Sequence, residues 1–229
     1  MTEIVVSVAM EEELRPFLIH PEHPVTEVEL PWGHAWQTTI RGKKVHLIQT
    51  GIGLVNAASV LTLAVERFRP DVVLSSGSAG GLADGLYIGD VVVGTNYAFS
   101  GADATAFDYA LGQIPQLPET FPGDAKLAEL ALHSHPEAQR VLTGKIVSGD
   151  AFVDARLADA VRANFPAALV ADMESAALAQ VSFRAGVPFL SVRAISDLCS
   201  PRAATDHEIS LEQAAERAAT VTRSVIERS

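Results

Sequence analysis

Short apolar runs, most of them five or six residues long, recur along the chain and alternate with longer stretches whose apolar residues fall at helical spacing. That alternation predicts an α/β domain. Residues 4–9 (Ile-Val-Val-Ser-Val-Ala) read as a buried central strand, with a helix opening directly behind it on Glu11, Glu12 and Glu13. Residues 25–50 give two or three alternating strands (Trp36, Thr38, Ile40; Val45, Leu47) around a turn at 41–44. A helix over 54–68 is marked by Ala57, Val60, Leu61 and Val65, and a buried strand over 71–76 ends in a glycine-rich loop at 77–81. Residues 88–99 form one long strand or a strand pair, 101–118 an irregular loop carrying Phe107 and Tyr109, 124–133 a helix and 140–148 a strand. Residues 168–198 switch period twice, strand to Ala-rich helix to strand, which is one βαβ unit. An amphipathic helix over 210–227 follows. No internal repeat or linker breaks the pattern, so a single domain over 1–229 is expected.

The polar residues of interest fall where these strands end, the edge at which open α/β sheets bind ligands. Asp172 and Glu174 stand at the first junction of the 168–198 unit, and Arg193 to Asp197 at the end of its second strand. Each acid has an ordinary reading, Asp172 and Asp197 as helix caps and Glu174 as a first-turn carboxylate favoured by the helix dipole. Arg193 is different, because a guanidinium inside an apolar strand needs an anion or a cavity. Most of the Glu11–Glu13 cluster is helix-start chemistry, while one member can point back over the strand end. The Gly51-Ile52-Gly53 turn and the Gly77-Ser78-Ala79-Gly80-Gly81 segment bring backbone N–H groups to the same edge, and Gly149 to Val153 brings Phe152, either core or a stacking platform.

Composition narrows the partners. A net charge of −11 and a pI near 5.0, without a basic cluster, disfavour nucleic acid and anionic membrane. No apolar run reaches the ~20 residues of a membrane span and no signal peptide is visible, and Cys199 is the single cysteine, so a cytoplasmic protein without disulfides is expected. Neither Arg nor Lys occurs between Arg69 and Lys126, so the glycine segment is no P-loop and offers phosphate few counter-charges.

Taken in order, Ala-Met-Glu-Glu-Glu at 9–13, Gly-Ile-Gly at 51–53, Gly-Ser-Ala-Gly-Gly-Leu at 77–82, Thr-Ala-Phe at 105–107, Val-Ser-Gly-Asp-Ala-Phe at 147–152, Met-Glu at 173–174 and Val-Arg-Ala-Ile-Ser-Asp at 192–197 give a chain that resembles the bacterial 5′-methylthioadenosine/S-adenosylhomocysteine nucleosidases of the nucleoside phosphorylase fold family. The resemblance implies a three-layer α/β/α domain with a central mixed β-sheet. It also implies hydrolysis of the bond between adenine and a 5′-thio-substituted ribose, with neither metal nor organic cofactor. The matching positions make Asp197 the acid that protonates adenine N7 and Glu13 the base that activates water, with Ser78 and Arg193 positioning that water or tuning the glutamate. Glu174 would hold the ribose hydroxyls. By the same resemblance Met173 would pack on the ribose with Asp172 beside that contact, Phe152 would stack on adenine and the Val153 backbone bond its edge, Met10 and Ile52 would line the 5′ end, and Gly80 and Ser196 would also bind substrate. Phe107, Tyr109 and Pro115 would come from the second subunit of a homodimer.

Two departures stand out. Asp172 replaces the glutamate of many relatives. No Phe or Tyr occurs from Asp197 to Ser229, so His207 stands where an aromatic residue would cover the 5′ group; it either makes that pocket more polar or lies on an exposed loop while Ile209 or Leu211 closes the pocket. A purine nucleoside phosphorylase, a nucleosidase for a futalosine-type nucleoside and a non-catalytic binding protein of the same fold are the competing readings. The first would need arginines around phosphate and the last would be expected to lose Glu13 or Asp197.

Overall fold

The computed structural model describes residues 2–19, 24–133 and 139–229. Strand β1 (Glu3–Val8) shows why the apolar runs are continuous rather than alternating. Val5 packs toward one face of the sheet and Val6 toward the other, so both faces must be apolar. The chain continues through α1 (Glu11–Ile19), β2 (Thr26–Val28), β3 (His34–Ile40), β4 (Lys43–Gln49), α2 (Leu54–Phe68), β5 (Val72–Gly81) and β6 (Val91–Phe99). Then follow β7 (Phe121–Pro122), α3 (Ala125–Leu132), β8 (Val141–Ser148), α4 (Ala155–Asn164), β9 (Ala168–Asp172), α5 (Ser175–Ala185), β10 (Phe189–Asp197) and α6 (Ala203–Arg228).

The sheet is mixed. β1 lies parallel between β4 and β5, and β2 and β3 extend that side antiparallel. On the other side β10 runs parallel to β5 and antiparallel to β6, β6 is parallel to β8, β8 is parallel to β9, and the end of β9 returns to pair antiparallel with Gly80 and Gly81 of β5. Strands β5, β10, β6, β8 and β9 thus form a closed ring at one end of an otherwise open sheet. Helices α1, α3 and α6 cover one face through Leu14, Phe17, Leu127, Ala214, Val221 and Val225. Helices α2 and α5 cover the other through Ala57, Leu61, Ala64, Ala176 and Leu178, giving the three layers.

The structure departs from the sequence expectation in four places. β5 does not stop at Ser76 but continues to Gly81, its glycines paired with β10 in register Arg193↔Gly77 and Asp197↔Gly80. Those glycines serve close approach rather than a turn, since a Cβ on Gly77 would stand 2.6 Å from Glu13 Oε1 and one on Gly80 2.6 Å from Cys199 Sγ. Helix α4 is not expected from the sequence because it is short and mostly polar, burying only Ala158. β6 begins at Val91, the chain before it being turn. Helix α6 starts at Ala203, seven residues ahead of the expected 210, because its first two turns are polar yet helical. The 101–118 stretch is irregular as expected, holding only a 3₁₀ turn at Thr105–Phe107.

Candidate active site

The ends of β1, β5, β9 and β10 and the starts of α1, α2 and α5 meet around a cleft of about 110 Å³. Of the three glutamates that open α1, Glu11 is exposed and Glu13 turns inward, 4% exposed. Its Oε2 accepts from the backbone N–H groups of Ala9 (2.9 Å) and Met10 (3.3 Å), and its Oε1 from the N–H (2.9 Å) and hydroxyl (3.2 Å) of Ser78. Both oxygens therefore sit among donors, which fixes the carboxylate at the cleft wall as an acceptor.

Asp197 closes β10 and is 1% exposed. Burial outweighs the opposing hydrogen bonds from the Cys199 N–H to Oδ1 (2.9 Å) and from the Ser196 hydroxyl to Oδ2 (3.1 Å), leaving the carboxyl above the ordinary aspartate range. The Cys199 N–H reaches Oδ1 because that residue takes a left-handed conformation, φ 51°. The two catalytic candidates thus share one cleft in contrasting settings.

Glu174 precedes α5 and accepts from the Gly53 N–H (2.9 Å) at the start of α2. Burial, with Asp172 and Glu13 adding like charge, pushes its carboxyl up to about 8 against the opposing pull of Arg193 and Gly53. The neighbouring Leu54 N–H goes to Asp150 Oδ1 (2.8 Å), so the 51–53 turn and the 149–153 loop are tied together at the head of α2.

Behind this wall lies a buried polar frame. Arg193 donates from Nε to Asp172 Oδ2 (2.8 Å) and from Nη1 to Ser75 Oγ (3.0 Å), and its Nη2 is 3.9 Å from Glu174 Oε2. Asp172 also accepts from the Ser148 and Ser175 hydroxyls and from the Ser175 N–H. Ser175 shares a 2.7 Å hydrogen bond with Ser191, whose N–H donates to Tyr97 Oη (2.8 Å).

Met10, Glu13, Ile52, Ser78 and Gly80 line the cleft from one side, with Phe152, Val153, Asp172, Met173, Glu174, Ser196, Asp197 and His207 from the other. Ala9, Ala79, Ala151 and Ala171 complete the lining; small apolar residues carry no chemical signal that would single them out in a sequence. Two expectations need correction, and the alternative left open for His207 is decided. Arg193 is not part of the lining; it sits 3% exposed behind Asp172 and Glu174, so it acts through them. Asp172 reaches the lining, but its carboxylate is committed to Arg193, Ser148 and Ser175 rather than left for ribose. His207 is not on a loop: it lies in α6 at the cleft, its ring edge-on to Phe152 at 5.7 Å, while Ile209 is 73% exposed and neither it nor Leu211 lines the cleft.

Phe107 (76% exposed), Tyr109 and Pro115 lie outside the chain's own cleft. Ser75, Ser148, Ser175 and Ser191 had no signal, since a serine inside an apolar strand or small-residue helix reads as filler. Among the described residues no group of three or more His, Cys, Asp or Glu side chains is arranged to hold a metal ion.

The family model described as the phosphorylase superfamily matches residues 3–227. A 5′-methylthioadenosine/S-adenosylhomocysteine nucleosidase of Actinobacillus succinogenes is 46% identical over 175 residues, 75% of this chain and 76% of the relative. The crystal structure of the enzyme of that name from Neisseria meningitidis, in complex with methylthio-immucillin-A, superposes with a TM-score of 0.96 at 36% identity over the full length of both chains. A futalosine hydrolase of Helicobacter pylori superposes at 0.94 with 28% identity, covering 100% of this chain and 98% of that one.

Proposed function

The chain belongs to the phosphorylase superfamily and, within it, to the 5′-methylthioadenosine/S-adenosylhomocysteine nucleosidases, and on that premise we propose that it hydrolyses the N-glycosidic bonds of 5′-methylthioadenosine and S-adenosylhomocysteine, releasing adenine and the 5-thio-substituted ribose. Asp197 gives its proton to adenine N7, which turns the base into a neutral leaving group. The C1′–N9 electron pair departs with adenine. The ribosyl cation left behind is met by water, whose proton passes to Glu13 while Ser78 holds that carboxylate in place. Glu174 receives the ribose hydroxyls beside the developing cation. Arg193, itself anchored by Asp172, stands behind Glu174.

The observation that carries this reading is the contrast between two carboxyls in one cleft. Asp197 is biased toward its acid form, and Glu13 is ringed by donors. One acid is desolvated and the other held by four donors, and such unlike settings let one site run acid and base chemistry together. A phosphorylase reading fares worse, because neither Arg nor Lys lines the cleft while Glu13, Asp172, Glu174 and Asp197 do. The likeness to a futalosine hydrolase keeps that nucleoside as the second substrate class.

The exposed Phe107 with Tyr109 and Pro115 supports a homodimer in which each subunit completes its partner's 5′ pocket. No helix among the described residues is long and apolar enough to cross a membrane. The test is adenine release from a panel of 5′-substituted adenosines in phosphate-free buffer. Release without phosphate is expected, and dependence on phosphate or arsenate would overturn hydrolysis in favour of phosphorolysis.

A further inference from the structure

Asp197 does not reach its surroundings through backbone alone. Its Oδ2 meets the hydroxyl of Ser196, a residue with no exposed surface, and the same Oγ lies 2.9 Å from His207 Nδ1 and 3.4 Å from the Ala79 carbonyl. A hydroxyl carries one proton. It can therefore serve one of these three acceptors at a time, and which one it serves decides what it can do for Asp197. With a neutral imidazole whose Nδ1 is bare, the Ser196 proton can leave Oδ2 for His207, the nearest of the three. Its oxygen lone pairs are then free to receive a proton from the acid form of Asp197. With Nδ1 protonated or absent, the Ser196 proton turns to Oδ2 and favours the carboxylate instead.

Resting on the reading of Asp197 as the general acid, we propose that His207 is a positioning residue for the acid step: by accepting the Ser196 hydroxyl proton it keeps Asp197 in the donor-ready form while the cleft is empty. The path runs Asp197 Oδ2–H to Ser196 Oγ–H to His207 Nδ1. Its outer end is partly exposed and braced by Phe152. Other charged groups face this corner. Asp206 of α6 and Cys199 of the adjoining turn act on Asp197, Arg162 and Asp154 act on Cys199, and Glu13 and Glu174 stand in the same cleft. His207 is the one among them that shares a hydrogen bond with Ser196.

The experiment is the pH profile of kcat/KM for adenine release, whose alkaline limb reports the free enzyme's acid, in wild type, His207→Phe, His207→Gln, Ser196→Ala and the double variant Ser196→Ala/His207→Phe. His207→Phe should move the alkaline limb to lower pH by about half to one unit, the size expected when one hydrogen bond passes from the neutral to the ionised carboxyl. His207→Gln, which can still offer an acceptor, should stay near wild type. In the Ser196→Ala background His207→Phe should move the limb no further. An unmoved limb in His207→Phe, or an equal shift with and without the Ser196 hydroxyl, overturns the proposal. Wild type that releases no adenine would instead overturn the function on which it rests.

Discussion

Replacing Glu174 by Gln should cost activity and add stability, and the second effect depends on pH in a direction the structure fixes. In the fold this carboxyl is pushed from an ordinary 4.5 up to about 8, chiefly by burial. A carboxyl raised on folding costs nothing below its unfolded value, and its contribution to stability is lost as pH climbs through the folded value. At 1.36 kcal/mol per unit the whole gap of ~3.5 units sets an upper limit of about 5 kcal/mol, reached above pH 8. Asp172, Arg193 and Glu13 share the same field, and the amide gives up the attraction to Arg193. We therefore expect roughly half that limit, about 2–3 kcal/mol. The Gly53 N–H keeps an acceptor in the amide oxygen. For a chain of this size, at about 2–4 °C per kcal/mol, Glu174→Gln should melt about 4–12 °C above wild type at pH 9. At pH 5 the gap should shrink to about 2 °C or less. Thermal melts of both proteins across pH 5–9 measure this directly, alongside a loss of adenine release of about 10²–10³. A difference in Tm that stays flat across that range would refute the reasoning.

Asp197→Asn and Glu13→Gln should each lower adenine release by about 10²–10⁴ while leaving the melting profile cooperative, and near wild-type turnover in either would remove that residue from its role. Active protein should sediment as a dimer and Phe107→Ala should raise KM; a monomer at assay concentration with unchanged KM sinks the shared pocket. Far from the cleft, His46 is buried, stacked on Phe68 at 3.9 Å and bonded to Glu3 at 2.6 Å, and burial holds its imidazole below the ordinary 6.5. A group depressed in this way withdraws stability as pH falls from its unfolded value, so wild type should lose Tm below about pH 6.5 more steeply than His46→Gln; parallel curves would count against it.

Much of this site was legible in the chain because chemistry there demands residue types that packing alone would not choose. A guanidinium in an apolar strand, three acids at a helix start and glycines at strand ends each departed from the surrounding pattern, and Glu13, Ser78, Glu174 and Asp197 do line one cleft. What could not be read was direction. Periodicity said that Arg193 needed an anion but not that Asp172 would be that anion, with the guanidinium turned away from the cleft. The serines that complete the frame carry no pattern of their own, and the closing of β9 onto β5 depends on pairing between residues some ninety positions apart. Helix α4 was missed for the opposite reason, having almost no buried face to betray it.

The ring of five strands bears on how the molecule comes into being. Its keystone is β10, which must slide between β5 and β6 and find partners laid down about a hundred residues earlier. Contacts so distant in sequence close slowly, because loop entropy is spent before any of them is made. During synthesis, everything up to α5 emerges while β5 and β6 still present open edges, and Glu13 can already take its place beside Ser78 with no Asp197 to work with. A chain that stalls before residue 189 is thus no partial enzyme. It is a species with two unpaired strand edges, the kind of surface through which nascent proteins associate with one another.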